Sequence, residues 1–290
     1  MGDQNGIHFC PLVDGSDMPK VGLAAFRDDD ERVVREVVNS YLDLTSSQPV
    51  KHVEISELYS NGHVIMDALC QRGVQRGDIY LTFKIWPKNS NGRDIITSCT
   101  DSLALIQDSY PDTYFDLVLV HAPIDVTNKS EQWAAIESLK ENQISKSIGV
   151  CGYDEDLMVE LMKNCASQPV VAEAEFSPFG QNKEYIEYCV DSSICILVNN
   201  ARNKNIKYNN RKILECAETL GLSPLELFVQ YVFSKGFAVL LSPLEIRELL
   251  HDTNFELPVS MVDGKILASL DALEEGVKTS VFFKQPTQDE

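Results

Sequence analysis

Glu54, Tyr59, Lys84 and His121 are four residues whose types and spacing could handle a proton together. Glu54 lies in His52-Val53-Glu54-Ile55-Ser56, where Val53 and Ile55 mark a β-favouring run. Tyr59 follows five residues later, just before the turn dipeptide Asn61-Gly62. Lys84 ends the apolar run 79–84, and His121 ends the run 115–121. A lysine closing a buried strand needs a partner, because an unpaired ammonium out of water costs several kcal/mol. Glu54, on the neighbouring strand, can supply it. A charged lysine beside a phenol favours the phenolate and brings the tyrosine towards the working range of a proton donor. Singly, each residue also has an ordinary reading: a surface glutamate, a half-buried tyrosine, a solvated lysine, a satisfied core histidine. Together they mark a site only if the fold gathers three successive strand ends.

The hydrophobic pattern predicts such a fold. Residues 7–20 read as a hairpin turning at Asp14-Gly15, followed by a short buried strand at 21–26. Further strands are predicted near 51–56, 79–84, 115–120, 145–150, 169–174, 194–199 and 237–241. Helices are predicted near 30–41, 63–73, 93–107, 131–142, 154–165, 182–191, 208–220 and 223–234, with a last one near 259–275. The helix at 223 opens on Ser223-Pro224, a cap followed by proline at the first helical position. Eight alternating strand–helix units predict an α/β fold, a single (β/α)8 barrel with a hairpin across one end. An open doubly wound sheet is the alternative, but no G-x-G-x-x-G follows the first strand. In a barrel, strand C-termini share one mouth, and the four residues converge there. The expected organisation is one domain over 1–290: hairpin 7–20, barrel 21–250, C-terminal helix and tail 259–290.

Composition narrows the partners. The 290-residue chain carries a formal net charge of -19, which argues against nucleic-acid backbones and anionic membrane surfaces. Its 8 cysteines form no C-x-x-C and no zinc-like spacing, the usage of reduced thiols in a cytoplasmic protein, and no metal is expected. No stretch has the length and hydropathy of a membrane span, so no membrane insertion is expected. The N-terminus lacks the apolar region of a signal peptide, and Gly6 stands where myristoylation requires Ser or Thr.

From about residue 7 to 275 the chain resembles the aldo-keto reductase family. His52-Val53-Glu54-Ile55-Ser56-Glu57-Leu58-Tyr59 resembles its H-I-D-T-A-x-x-Y motif, Thr82-Phe83-Lys84-Ile85-Trp86 its T-x-K-L-W motif, and Leu119-Val120-His121-Ala122-Pro123 its L-I-H-W-P motif. Asp14-Gly15 to Phe26, Ser147-Ile148-Gly149-Val150 and Glu175-Phe176-Ser177-Pro178 resemble further family stretches. The resemblance implies reduction of a small-molecule aldehyde or ketone with NADP(H). Tyr59 would act as general acid, Lys84 would lower the Tyr59 pKa, Glu54 would hold Lys84, and His121 would orient the carbonyl.

Departures fall mainly on the cofactor side. Glu54 stands where the family carries Asp. Cys151-Gly152 replaces Ser-Asn, Ala172-Glu173 replaces Asn-Gln, Asn199 falls at the aromatic that stacks on the nicotinamide, and Ala24-Ala25 replaces Gly-Thr. The family segment whose Lys and Arg grip the 2′-phosphate is shortened to Leu241-Ser242-Pro243-Leu244-Glu245-Ile246-Arg247, with Arg247 as the stand-in arginine. The resemblance thus assigns cofactor contacts to Cys151, Glu173, Asn199, Ser242 and Arg247. The alternative it leaves is a weak or inactive barrel without cofactor, serving a protein partner as a regulatory, scaffold or complex subunit.

Overall fold

A computed structural model describes residues 8–86, 92–122, 129–199, 207–251 and 261–276. The chain opens with a hairpin of β1 (Phe9–Pro11) and β2 (Asp17–Pro19). Strands β3 (Val21–Leu23), β4 (Lys51–Ser56), β5 (Ile79–Ile85), β6 (Phe115–His121), β7 (Ser145–Cys151), β8 (Val171–Ala174), β9 (Cys195–Asn199) and β10 (Ala238–Leu241) then alternate with helices. These helices are α1 (Glu31–Leu44), α2 (Gly62–Gln71), α3 (Gly92–Ile106), α4 (Lys129–Glu141), α5 (Glu155–Asn164), α6 (Lys183–Asp191), α7 (Arg211–Leu220) and α8 (Pro224–Ser234), with α9 (Pro243–His251) and α10 (Gly264–Asp271) closing the chain. The eight parallel strands close into a barrel in the order β10-β3-β4-β5-β6-β7-β8-β9. Among the described residues no helix is long and apolar enough to cross a membrane.

Period-two alternation divides each strand between two environments. Val53, Ile55, Phe83, Val118 and Val150 face outward and pack with helix residues such as Val34 and Leu69. Inward residues meet across the register, Glu54 beside Thr82, Ser56 beside Lys84, His121 beside Cys151 and Cys151 beside Glu173. The lower interior is apolar: Leu117, Leu119, Val171 and Leu240 pack with Cys10 and Met18 of the hairpin. The hairpin therefore plugs one end, and chemistry can only be built at the other.

Just above the plug sits His52, fully buried, with burial pushing its pKa down to about 4. A carbonyl only accepts, so Nδ1 carries the hydrogen donated to Pro19 O at 3.2 Å, and Nε2 accepts from the Thr82 hydroxyl at 3.0 Å. This histidine is a structural group of the floor.

One expectation at the C-terminal end needs correction. The last helix is Gly264–Asp271, shorter than 259–275, and residues 259–260 and 277–290 lie outside the described residues, as do Ile7, Pro87 and Pro123. The segment after the eighth strand, read by resemblance as a phosphate-gripping stretch, is helix α9. Its cause is local. Ser242-Pro243-Leu244-Glu245 repeats the pattern Ser223-Pro224-Leu225-Glu226, and both serine–glutamate pairs close a capping box at a helix start.

Gly149 marks the tightest point of the interior. A Cβ there would lie 2.4 Å from the Val171 carbonyl oxygen and 2.8 Å from Leu119 Cδ2. Backbone cannot rotate away, so Gly149→Ala is expected to cost about 1–3 kcal/mol, read as a lowered urea midpoint with an unchanged slope.

Candidate active site

Lys84 organises the upper interior. Its ammonium donates to Glu54 Oε1 at 2.9 Å and to Glu173 Oε1 at 2.8 Å, and both glutamates are fully buried. Glu54 Oε1 also accepts the Ala25 amide at 3.2 Å, and Glu173 Oε1 accepts Asn199 Nδ2 at 2.8 Å. The predicted lysine–glutamate pair is therefore present. A second carboxylate, from β8 across the barrel, joins it.

Two buried carboxylates and one ammonium cannot all be charged without leaving a net negative charge in the interior. Burial, and then the Glu173 charge, push Glu54 up to about 8 against the pull of Lys84. Burial also pushes Glu173 up, but the Lys84 charge and hydrogen bonds from Glu54, Lys84 and Asn199 hold it below the usual carboxylate range. Burial opposes the Lys84 charge too, yet Glu173 and Glu54 keep its pKa well above the ordinary lysine value. One proton on the carboxyl pair makes the cluster neutral overall, and burial beside the Glu173 charge favours Glu54 as its holder. Glu54 Oε2 and Glu173 Oε2 are buried and receive no hydrogen bond from a donor group of the described residues.

The Tyr59 loop is fastened to this cluster through backbone. Glu57 N donates to Lys84 O at 3.2 Å, Tyr59 N to Ser56 O at 3.1 Å, and Asn61 Nδ2 to Phe26 O at 3.0 Å. The Glu57 carboxylate accepts Trp86 N at 2.6 Å and the Ser98 hydroxyl at 2.6 Å, tying the loop to the end of β5 and to α3. Trp86 packs at 4.1 Å against the ring of His121, which is buried at the end of β6. Tyr59 itself is half-buried and, with His63, Trp86 and Asp94, lines a 350 Å³ cleft. Glu57 is a positioning residue that the sequence reading missed.

Of the residues expected on the cofactor side, Glu173 and Asn199 belong to the Lys84 cluster, and the fully buried Cys151 stands beside Glu173 across the β7–β8 register. Ser242 caps α9, with N and Oγ donating to Glu245 Oε2 at 2.8 and 2.7 Å. Arg247 lies exposed on that helix. Glu175, quoted at first only within a motif, has a buried oxygen without a partner, and burial pushes its carboxyl up to about 7. Its position two residues beyond Glu173 was the legible signal.

Residues 20–201 match the model of the Aldo/keto reductase family. The chain belongs to the aldo-keto reductase family. Among its relatives, an uncharacterised oxidoreductase of Schizosaccharomyces pombe is 25% identical over 277 residues, covering 90% of each chain. Methylglyoxal reductase DkgB of Escherichia coli O157:H7 is 24% identical over 260 residues, covering 88% of this chain and 93% of the relative. The crystal structure of MGS-M4, an aldo-keto reductase from a deep-sea metagenome library, superposes with a TM-score of 0.81 at 21% identity. That likeness spans 94% of this chain and 97% of the other.

Aldo-keto reductases use a nicotinamide dinucleotide, and the residues of this barrel fit its carboxamide end. The partnerless Glu175 Oε2 is an acceptor that a carboxamide NH2 would satisfy.

The raised Glu54 carboxyl gives a stability signature. Glu54 is raised from 4.5 to about 8, so its stabilising protonation is complete below 4.5 and lost as the pH rises through 8. Between pH 6.5 and 8.5 the protein is expected to lose about 1–2 kcal/mol of unfolding free energy. Glu54→Gln should flatten that slope in urea titrations, and an unchanged slope would refute the protonated Glu54.

Proposed function

We propose that this chain is a cytoplasmic, single-domain oxidoreductase of the aldo-keto reductase type that reduces an aldehyde or ketone to the alcohol with NAD(P)H. The observation that carries this reading is the Lys84–Glu54 pair at the ends of β5 and β4, with the Tyr59 loop tied to the Lys84 carbonyl. A reduced nicotinamide, when bound, supplies the hydride. Tyr59 gives its hydroxyl proton to the carbonyl oxygen as the carbon is reduced. Lys84, held by Glu54, stabilises the phenolate left on Tyr59 until solvent returns the proton. His121, braced by Trp86, directs the carbonyl oxygen towards Tyr59. Cys151, Glu173 and Asn199 would hold the nicotinamide end, Glu175 its carboxamide, and Ser242 and Arg247 the far end of the dinucleotide.

One observation favours a second reading, a weak or inactive barrel serving a protein partner. Glu173 gives Lys84 a second carboxylate, which offsets the positive field that the phenolate needs.

Methylglyoxal, named for one relative, is a rational first substrate. Turnover of methylglyoxal or another small aldehyde with NADH or NADPH should fall about 10²-fold or more in Tyr59→Phe, while isothermal titration of that variant still shows dinucleotide binding. No binding of either dinucleotide at millimolar concentration would sink this reading and leave the second.

A further inference from the structure

The floor of the barrel holds two thiols that the active site does not use. Cys10, on β1 of the hairpin, is buried at 2% exposure, and its thiol donates to Gly236 O at 3.7 Å. Cys195 opens β9 and is partly exposed. The β9–β10 register pairs Leu197 with Ala238. Gly236 and Cys195 each stand two residues before that pair, at the floor ends of adjoining strands. Along β9, Cys195 shares its side with Leu197, and both pack in the plug cluster that contains Cys10. Each thiol acts on the other more than any other group does, Cys195 lowering the pKa of Cys10 and Cys10 raising that of Cys195. The Lys20 ammonium, at the end of the hairpin, pulls both down and favours a thiolate. In the same cluster the Tyr80 hydroxyl is buried without a hydrogen-bond partner. Burial above all, and then nearby charges that include both cysteines, hold that phenol well above its ordinary pKa.

We infer that Cys10 and Cys195 form a redox couple, which a hydroperoxide converts to a disulfide fastening the hairpin plug to β9. The partly exposed Cys195 is the side from which a molecule as small as hydrogen peroxide reaches the pair. The Cys10 thiolate takes one peroxide oxygen, the O–O bond breaks, and a sulfenic acid and hydroxide result. The Cys195 thiol then attacks the Cys10 sulfur and displaces that oxygen as water. Hydroxide takes up the proton that Cys10 released. Overall the two thiols lose two electrons and two protons, and one peroxide becomes two waters. The Tyr80 hydroxyl supplies a donor to the oxygen while sulfur holds it. Disulfides in a reducing compartment are mostly transient and redox-sensing, and cellular thiols return this one to its reduced form by exchange. The bond joins the first hairpin to the seventh barrel strand, and a long closed loop restricts the unfolded chain most. Oxidation therefore locks a plug that is otherwise held without a covalent bond. The inference stands apart from the carbonyl-reduction reading.

Treatment of the full chain with hydrogen peroxide, followed by intact-mass measurement and peptide mapping without reductant, tests it. The protein is expected to lose the mass of two hydrogens, with the peptides of Cys10 and Cys195 joined, and dithiothreitol should reverse both changes. The urea midpoint should rise on oxidation and return on reduction. Cys195→Ser should abolish the loss and leave added oxygen on Cys10. Cys165→Ser, at another partly exposed thiol, should leave the linkage intact. Circular dichroism melts would show that both variants are folded, and the mapping of the unaltered chain decides the matter even where a variant fails to fold. A bond between other cysteines, oxygen addition without loss of hydrogen, or no reaction in excess peroxide overturns the inference.

Discussion

The upper half of this barrel depends on one ammonium held between two carboxylates out of water. Ion desolvation is recovered only if each charge meets its complement at hydrogen-bond distance, and Lys84 meets Glu54 and Glu173 at 2.9 and 2.8 Å. The participants come from β4 and β5 on one side of the barrel and from β8 and β9 on the other. The cluster therefore braces the interior across its width, above an apolar layer too small to do so alone. The proton on Glu54 is part of the same balance. Without it the interior would hold an uncompensated negative charge.

This balance changes what the presence of a lysine means. In an aldo-keto reductase a lysine beside the tyrosine is kept for chemistry. Here Lys84 is also bound by packing and charge, because its loss would strand the buried Glu173 carboxylate at a cost of about 3–5 kcal/mol. The catalytic reading therefore needs, beside that pair, Tyr59 on the loop that Glu57 secures and His121 at the end of β6.

How much could be read from the sequence follows from the range of each interaction. Strand positions, the hairpin turn and the Glu54–Lys84 pairing rest on alternation and adjacency, and they were legible. The inward direction of Glu173 was legible by parity, but its bond to Lys84 joins residues 89 positions apart on strands that are not neighbours. No local pattern encodes that contact. The carboxylate of Glu57 reaches Trp86 and Ser98 from a loop, where periodicity gives no direction. Helix α9 was the opposite case. Its signal was local and already present at residues 223–226, but the resemblance to a phosphate-gripping segment drew attention to Arg247 and away from the cap.

The hairpin that plugs the barrel floor has a consequence for synthesis. Cys10 Sγ donates to Gly236 O across 226 positions, Val239 N donates to Lys20 O at 2.7 Å, and β3 pairs with β10. The hairpin can find its seat only after β10 has emerged, roughly tens of seconds later at ordinary elongation rates. Until then Met18 and the open edge of β3 stay uncovered, and loop-closure entropy delays the final seam. Residues 8–20 are thus a late-docking closure, and cellular yield of this protein depends on keeping that edge unpaired until β10 arrives.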